Sequence, residues 1–580
     1  MLNTSAAETA PESVASDFAP VAANQRIVAL DVVRGFALIG IFLMNIEFFN
    51  RTFTSFNEGM PRDLTSLDWF ASWFVNYFVQ GKFWTIFSLL FGMGFAVMMT
   101  RAEQAGREFK KVYLRRIVAL AVFGAAHFIF VWQGDILFSY AVAALALLIV
   151  LYGRPKPIWI TCVIFIGLGF IPHFGLFFGV AAGLAVMGLL ALYLRSEKRV
   201  TRRGVSVPVF SFILLLLGAL LSVAAIVFWL LPDGPIEPRL PLSLFGPLVL
   251  VTGWLSWKYH EPADKRSVRL AVSAYLFAAI AMTAAGLIQY FAPDPSAIVG
   301  AVQKADEKPA DAKAGGAAGV RTEATAATEK LRKTKAERAA EIRAERAKRL
   351  AENKATNAEE LKLFTAGRYW ATVEWRALRF AEKAAGDAGF AFVLVGMFLL
   401  GVWFVRSGVM EDTGAHLDFF RKLATYGLPI GIGMGLLGSL IALSHTQGDG
   451  HDGWGIARGL LTIGNLPACL GYVGLVVLML HSDTVFSRIR VLAPAGRMAL
   501  TNYLSQSLIC ATYFYGFALG HWGMPRSQQM IFVLVVYALQ VALSHWWLAR
   551  FRYGPMEWLW RGFTYGEVPA FRIAPKAGSA

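Results

Sequence analysis

One apolar stretch near the start of the chain carries ionisable and amide side chains at helical spacing. Asp31 and Arg34 are three residues apart and therefore share one face of a helix. Asn45 follows eleven residues after Arg34, which is about 16 Å along a helix that rises 1.5 Å per residue. Burying such groups in hydrocarbon is costly unless they find a partner or water, so each is a candidate functional residue.

A histidine and a carboxylate stand where two later apolar stretches meet. His127 precedes Asp135 by eight residues, and the connection is too short to take Asp135 far from a membrane. Glu47, Asp68 and Lys82 belong to the same half of the predicted bundle and are further candidates. The alternative for each side chain is a helix cap, an interfacial anchor or a hydrogen bond between helices.

Another apolar stretch starts with a run of polar side chains. Arg497, Asn502, Tyr503 and Gln506 all fall within its first turns, and Asn502 and Gln506, four residues apart, face the same way. So many polar groups entering one helix favour a water-filled cavity over contact with lipid. Hydrogen bonds between helices are the alternative.

The elements that must position these residues are membrane-spanning helices. Of the 580 residues, 56% are hydrophobic and 16% charged, whereas about a quarter of a soluble protein is charged. The expected fold class is therefore an all-α, polytopic integral membrane protein with 12 to 14 transmembrane helices. Fourteen apolar segments are predicted as spans: 36–50, 83–100, 112–132, 136–152, 157–171, 175–194, 207–231, 240–257, 269–291, 389–405, 423–444, 459–480, 498–519 and 528–549.

The basic residues predict the orientation of these spans. With both termini in the cytoplasm, and leaving aside the 19 basic residues of 302–388, 30 Lys and Arg fall in inside segments and six in outside connections. This is the distribution that the positive-inside rule predicts, because long outside segments translocate largely regardless of charge. A single helix over 157–194 would invert the downstream spans and place basic pairs outside, so two helices are expected there. The net charge of +16 is then an orientation signal, and nucleic acid is not an expected partner.

Four other segments complete the prediction. Residues 1–25 lack the features of a signal peptide, so the first span is expected to act as the insertion signal. Leu67–Gln80 is expected to form an aromatic helix at the outer interface, or else a re-entrant segment. Residues 302–388, with 19 basic and 14 acidic side chains, predict a charged, mostly helical periplasmic insert. A polar loop, 445–452, contains two His and two Asp but lacks metal-ligand spacing, so no metal site is expected.

Five motifs together resemble the YeiB-like family of bacterial inner-membrane proteins. They read Arg26…Leu30-Asp31…Arg34-Gly35…Asn45-Ile46, Lys82-Phe83…Phe87-Ser88…Gly92, His127…Gly134-Asp135-Ile136-Leu137, Gly496-Arg497…Asn502-Tyr503…Gln506-Ser507, and Arg550-Phe551…Gly554-Pro555…Glu557-Trp558. The resemblance covers an N-terminal acyltransferase-like region, 26–152, and a C-terminal YeiB-like region, 389–566. The additional transmembrane helices, 153–301, and the insert, 302–388, depart from the family pattern, and polar tails, 1–25 and 567–580, complete the chain. It implies a multi-pass protein of the bacterial inner membrane.

More distantly, the N-terminal part is similar to transmembrane acyltransferases such as heparan-α-glucosaminide N-acetyltransferase. That likeness implies acyl-CoA as a donor substrate, with no permanently bound cofactor, and an envelope glycan or lipid as acceptor. Many glycan acyltransferases of this kind carry a histidine where this chain has Asn45. His127, oriented by Asp135, is then the expected general base. Arg34, beside Asp31, and the pair Arg115 and Arg116 are expected to hold the anionic part of CoA.

The leading hypothesis is transfer of an acyl group from cytoplasmic acyl-CoA to an envelope glycan. A transporter or flippase of an anionic or lipid-linked solute is the main alternative, and a structural membrane component is the other. In a transporter the same polar residues would line a substrate pathway, and the expected members of that pathway are Glu47, Asp68, Lys82, Arg497, Asn502, Tyr503 and Gln506.

Overall fold

The computed structural model describes residues 26–57, 59–61, 63–106, 108–171, 175–231, 239–291, 323–443, 445 and 452–573. The N-terminal tail, the beginning of the insert and most of the polar loop 445–452 lie outside the described residues. The expectations for those segments stay predictions.

Helices make up nearly all of the regular structure in the described residues. In the first half they are α1 Val28–Asn45, α2 Glu47–Asn50, α3 Ser66–Phe74, α4 Lys82–Gln104, α5 Phe109–Ala126, α6 Leu137–Tyr152, α7 Pro155–Gly169, α8 Leu176–Arg195, α9 Val209–Leu230, α10 Arg239–Lys258 and α11 Arg266–Phe291. In the second half they are α12 Glu323–Ala366, α13 Tyr369–Arg406, α14 Leu417–Ala442, α15 Trp454–Leu480, α16 Ala493–Arg497, α17 Ala499–Phe514, α18 Arg526–Leu548 and α19 Pro555–Tyr565.

Shorter elements connect or extend these helices. Wide π-helical turns lengthen α3, over Val75–Val79, and α5, over His127–Val131. A 3-10 turn follows α2 at Phe53–Asn57, and two others precede α11 and α16 at Ala263–Lys265 and Val485–Leu492. One antiparallel hairpin pairs β1, Arg199–Arg202, with β2, Val205–Pro208, and places Arg199 opposite Pro208. The all-α character of the chain is therefore confirmed.

Eleven helical segments among the described residues are long and apolar enough to cross a membrane. The helices α6 and α7 are apolar but shorter, and α17 has 16 residues. Each of the fourteen predicted spans coincides with a helix, including separate helices α7 and α8 in the segment where one or two were possible. The structure thus supports a polytopic membrane protein without fixing the number of crossings at fourteen.

Glycines allow the central helices to cross at close range. A Cβ added to Gly92 on α4 would lie 2.2 Å from the Phe398 carbonyl oxygen on α13, and one added to Gly401 would lie 2.2 Å from the Leu89 carbonyl oxygen. Such reciprocal contacts between backbones are typical of helices packed inside membranes, where small residues permit close approach. They bring α4 and α13 together at the core of the bundle.

The insert is joined to this core without a break. The helix α13 runs for 38 residues, so it contains both the end of the charged segment and the predicted span 389–405. The preceding helix α12 is 44 residues long, and its side chains over 340–355 are exposed. Its last ten residues are different, because Glu360 and Phe364 are 1% exposed. The expectation of a projecting helix therefore holds for 340–355 and is wrong for the C-terminal end, which is docked.

We expect Gly401→Val to destabilise the protein by about 1–3 kcal/mol, because the new side chain would overpack the crossing of α13 and α4. Gly389→Val is the matched control on the same helix, since a Cβ there meets no atom within 4 Å. Thermal unfolding of both purified variants in detergent measures the difference. Equal melting temperatures would contradict the crossing.

Candidate functional site

His127 and Asp135 form a hydrogen-bonded pair in the interior. His127 Nδ1 lies 2.9 Å from Asp135 Oδ1, and both side chains are almost fully buried. The other carboxylate oxygen accepts a hydrogen bond from Phe138 N–H at 2.8 Å, which caps the first turn of α6. An ionised Asp135 fixes the proton on Nδ1, so His127 Nε2 is left as an acceptor. Nε2 is buried and has no hydrogen-bond partner in the structure.

A cavity of about 430 Å³ leads toward this pair through the bundle. Its middle is apolar and aromatic, with Phe87, Leu90 and Phe91 among the lining residues. Tyr503 and Ile136 also line it. The Tyr503 ring centroid is 5.4 Å from that of His127, and Ile136 follows Asp135 in the chain. One layer of side chains therefore separates the cavity from the His127–Asp135 pair.

The other end of the cavity is rich in arginine. Three carboxylates, Asp31, Glu108 and Glu557, accompany seven guanidinium groups there. Clustered arginines are typical of sites that bind phosphate or carboxylate groups. We call this end the arginine mouth, and its members are Arg26, Arg34, Arg101, Arg116, Arg497, Arg552 and Arg561.

The carboxylates of the mouth are largely engaged with the protein. Asp31 Oδ1 accepts from Arg34 Nη1 at 3.0 Å. Glu557 accepts from the N–H groups of Leu500 and Thr501 at 2.7 and 3.0 Å, and thus caps α17 from another helix. Burial raises the pKa of Glu557 above its ordinary value. These contacts leave the mouth with more cationic than anionic groups available to a ligand.

Of the residues predicted to bind the donor, Asp31, Arg34 and Arg116 line the cavity. Arg115 does not line it and is exposed on α5. Consecutive residues on a helix point about 100° apart, and here only Arg116 of the two neighbours lines the cavity. The structure therefore does not place Arg115 in the same site as Arg34 and Arg116. Five further arginines line the cavity that the sequence did not predict to bind the donor: Arg26, Arg101, Arg497, Arg552 and Arg561.

Asn45 and Glu47 lie at the far end of α1 from the arginine mouth. Asn45 is buried but does not line the cavity. Glu47 bridges two cations, with Arg526 Nη2 3.1 Å from Oε2 and Arg51 Nη1 3.3 Å from Oε1. The structure does not bring Asn45 into contact with the cavity, and it places Glu47 in an ion-pair cluster.

Asp68 and Lys82 also lie away from the cavity and make contacts within the protein. Asp68 Oδ1 accepts from the Ser527 N–H and hydroxyl at 2.8 and 2.6 Å, which joins α3 to α18. Lys82 is 2% exposed and donates to the Tyr77 carbonyl at 2.6 Å. Neither residue lines the cavity.

Of the polar residues at the start of α17, Arg497 and Tyr503 line the cavity, whereas Asn502 and Gln506 do not. Gln506 Nε2 donates to Gln540 Oε1 at 2.9 Å, and Gln540 Nε2 donates to the Asn502 carbonyl at 3.0 Å. Asn502 Nδ2 donates to the Ala495 carbonyl and the Ser544 hydroxyl at 3.0 and 3.1 Å. Asn502 and Gln506 thus join α17 to α18, and the interhelical alternative fits them better than a water-filled cavity.

The docked end of the insert covers the turn that follows His127. We call residues 357–376 the insert roof. Glu360 accepts from the N–H groups of Phe53 and Thr54 at 2.6 and 3.0 Å, and from the amide of Gln133. Arg376 is fully buried and donates to the carbonyls of Ile129 and Val131 at 2.9 and 2.8 Å. A cation thus neutralises the last carbonyls of the π-helical turn, which have no partner within the helix.

Sequence reasoning missed Glu360 and Arg376 for a physical reason. Both occur in a segment dense in charged residues, where most charges are solvated, and nothing in their spacing separates a buried charge from an exposed one. A weak signal was present beside Arg376, because Trp370 and Trp375 interrupt the charged composition.

One cluster of metal-ligating groups occurs in the described residues, away from the cavity. It comprises Glu197, His260 and Glu261, whose donor atoms lie within 4.8 Å of one another. Arg266 Nη1 is 2.7 Å from Glu197 and Nη2 is 3.1 Å from Glu261. Arg199 Nη2 is also 3.7 Å from Glu261. Because two guanidinium groups already balance the two carboxylates, these residues do not fit a metal ion.

We expect Arg376→Met to lower the free energy of unfolding by about 2–3 kcal/mol, because charged hydrogen bonds to buried carbonyls are lost. Arg379→Met is the control, since Arg379 is partly exposed and pairs with Glu359 at 3.6 Å, a contact worth less than about 1 kcal/mol. The melting temperatures of both variants in detergent test the roof. Equal losses would show that Arg376 does not support the turn.

Comparison with known proteins gives a family without an assigned activity. Residues 404–567 match the family described as "Protein of unknown function (DUF418)". The chain is 24% identical to the uncharacterized protein YxaH of Bacillus subtilis over 95% of its own length and 97% of the relative's. It is 35% identical to the uncharacterized protein YeiB of Escherichia coli over 30% of its own length and 45% of the relative's.

A third relative is an uncharacterized 39.9 kDa protein of Bacillus acidopullulyticus, 33% identical over 34% of this chain and 55% of the relative. No solved structure matches the chain. The resemblance to YeiB-like proteins is confirmed, with residues 404–567 matching the family of unknown function, whereas none of these matches is to a named acyltransferase.

Proposed function

We propose that the protein transfers an acyl group from a cytoplasmic acyl-CoA to a hydroxyl of an envelope glycan or lipid. The observation that carries this proposal is one cavity with arginines at its mouth and the His127–Asp135 pair behind its far end. The names of the three relatives assign no activity, so the proposal rests on this geometry.

The shape and charge of the cavity suit an acyl thioester with a phosphorylated carrier. Arginine binds phosphate through several parallel N–H donors, and Arg116 Nε and Arg497 Nε have no hydrogen-bond partner. The apolar middle of the cavity suits the acyl chain. A donor bound in this direction has its phosphates at the mouth and its acyl group near Tyr503.

His127 supplies the base in this proposal. Its Nε2 is available as an acceptor because Asp135 holds the proton on Nδ1. Asp135 also stabilises the imidazolium that forms when His127 takes a proton from the acceptor hydroxyl.

The proposal includes a topology and a location. We place the arginine mouth at the cytoplasmic face of a bacterial inner membrane, with both termini on that side, fourteen spans and the insert outside. The distribution of basic residues supports this orientation, with 30 in the segments assigned to the inside. The acceptor then reaches His127 from the side of the insert roof.

We expect Arg116→Gln to weaken binding of a non-hydrolysable acyl-CoA thioether at least tenfold, because one phosphate-binding guanidinium is lost. Arg115→Gln is the matched control, because Arg115 is the neighbour of Arg116 in sequence but is exposed and does not line the cavity. Calorimetry on detergent-purified protein measures both. Unchanged affinity in Arg116→Gln, or no binding by the wild type, would refute a CoA donor.

His127→Gln separates binding from chemistry. It should bind the thioether normally and lose acyl transfer, measured as thiol release in the presence of envelope glycan fractions. A wild type that moves an anionic solute across vesicles without releasing thiol would instead support a transporter.

The proposed orientation predicts that alkaline phosphatase, which is active only outside the cytoplasm, is active when fused near Ala340 and inactive when fused near Arg421. Ala340 lies on the exposed part of α12, and Arg421 is exposed on the first turns of α14. A cytoplasmic reporter fused at the same two positions gives the reverse result. A phosphatase that is silent at Ala340 would overturn the topology.

A further inference from the structure

Three buried aromatic rings meet beside the His127–Asp135 pair, and a polar atom on each has no partner. His127, Trp132 and Tyr503 are 3%, 1% and 6% exposed. The ring centroid of His127 is 6.3 Å from that of Trp132 and 5.4 Å from that of Tyr503. His127 Nε2 and Trp132 Nε1 lack a hydrogen-bond partner. The Tyr503 hydroxyl oxygen lies beside the Ile136 N–H, and no group of the protein accepts its proton.

Such a cluster is costly for the folded protein. A buried donor or acceptor without a partner costs about 1–3 kcal/mol, and buried polar groups are otherwise nearly always paired. Packing does not require the polar atoms. Trp132 stacks on Phe49 at 4.6 Å through its ring, and a phenylalanine at position 503 would fill the same space. Three unpaired atoms around one histidine therefore point to a ligand that pairs with them.

We propose that Trp132 Nε1–H and the Tyr503 hydroxyl donate hydrogen bonds to the carbonyl oxygen of the acyl group as it becomes an oxyanion. The assignment rests on the proposed acyl transfer and names catalytic residues for it. Two neutral donors and one acceptor form a suitable set, since the oxyanion needs donors while the attacking hydroxyl needs an acceptor for its proton.

The step balances without a further reactant. The acceptor oxygen forms a bond to the thioester carbon, its proton passes to His127 Nε2, and the carbonyl π electrons move to the oxygen that Trp132 and Tyr503 hold. When the carbonyl re-forms, the carbon–sulfur bond breaks and the thiolate takes the proton from the imidazolium. The products are an ester and a free thiol.

The position of Tyr503 supports this role. Its side chain lines the far part of the cavity, where the proposed donor places its acyl carbonyl, and its ring is in contact with His127. Trp132 also packs against His127, and it lies in the turn that the insert roof covers through Gln133. The two donors thus come to the same histidine from different elements, α17 and the turn before α6.

The test uses Trp132→Phe and Tyr503→Phe in the full-length protein. Each should lower the rate of thiol release at saturating acyl-CoA by about a hundredfold, the effect of losing one oxyanion donor. The dependence of the remaining rate on pH should be unchanged, because His127 and Asp135 are intact. The melting temperature of Tyr503→Phe in detergent should stay the same or rise, because this variant removes a buried hydroxyl at nearly constant volume, whereas Trp132→Phe also removes buried ring volume.

Tyr537→Phe is the matched control. Tyr537 is also buried, but its hydroxyl donates to the Gly35 carbonyl and its ring does not line the cavity. This variant should lower the melting temperature and leave the rate of thiol release unchanged. The control separates the loss of a structural hydrogen bond from the loss of a catalytic one.

The outcomes distinguish this assignment from the proposed function. An active wild type whose Trp132→Phe and Tyr503→Phe variants keep rates within threefold would overturn the assignment alone. So would a fall in the melting temperature of Tyr503→Phe as large as that of Tyr537→Phe, even without an activity measurement. A wild type that releases no thiol from any acyl-CoA would overturn the proposed function and the oxyanion donors together.

Discussion

The hydrogen bond between His127 and Asp135 is the contact on which the centre of this bundle depends. Both side chains are buried, so an ionised Asp135 without partners would carry a large desolvation cost. Its two oxygens are therefore used by His127 and by the first turn of α6. The same carboxylate fixes the histidine tautomer, the end of α5 and the start of α6. The insert roof then holds the connecting turn from outside, through Glu360 and Arg376.

The two ends of the cavity have different electrostatic character. Around the His127 turn, Asp135, Glu360 and Arg376 are matched by hydrogen bonds from the protein. At the arginine mouth, seven guanidinium groups face three carboxylates, and the protein itself occupies two of those carboxylates. The far end of the cavity is therefore matched in charge by the protein, whereas the mouth carries an excess of positive charge.

The sequence predicted the features that follow from a single helix or a short connection. Apolar length located the helices, and the short link after His127 predicted that Asp135 stays near the membrane. The sequence did not predict the features that depend on packing between distant segments. Residues on opposite sides of a long insert, such as Gln133 and Glu360, show no common pattern along the chain. Arg115 and Arg116 were likewise grouped together because they are neighbours in sequence. Once the helix forms, their side chains face different directions, and only Arg116 lines the cavity.

Asn502, Gln506 and Tyr503 show why polarity inside a span does not by itself identify a site. All three are buried on α17, and the bilayer makes each expensive for the same reason. Asn502 and Gln506 recover that cost through partners on neighbouring elements. The Tyr503 hydroxyl donates to no group of the protein, although the side chain is buried as theirs are. Within a membrane bundle the informative polar group is the one whose cost the fold leaves unmet, since a bound ligand can then offset it.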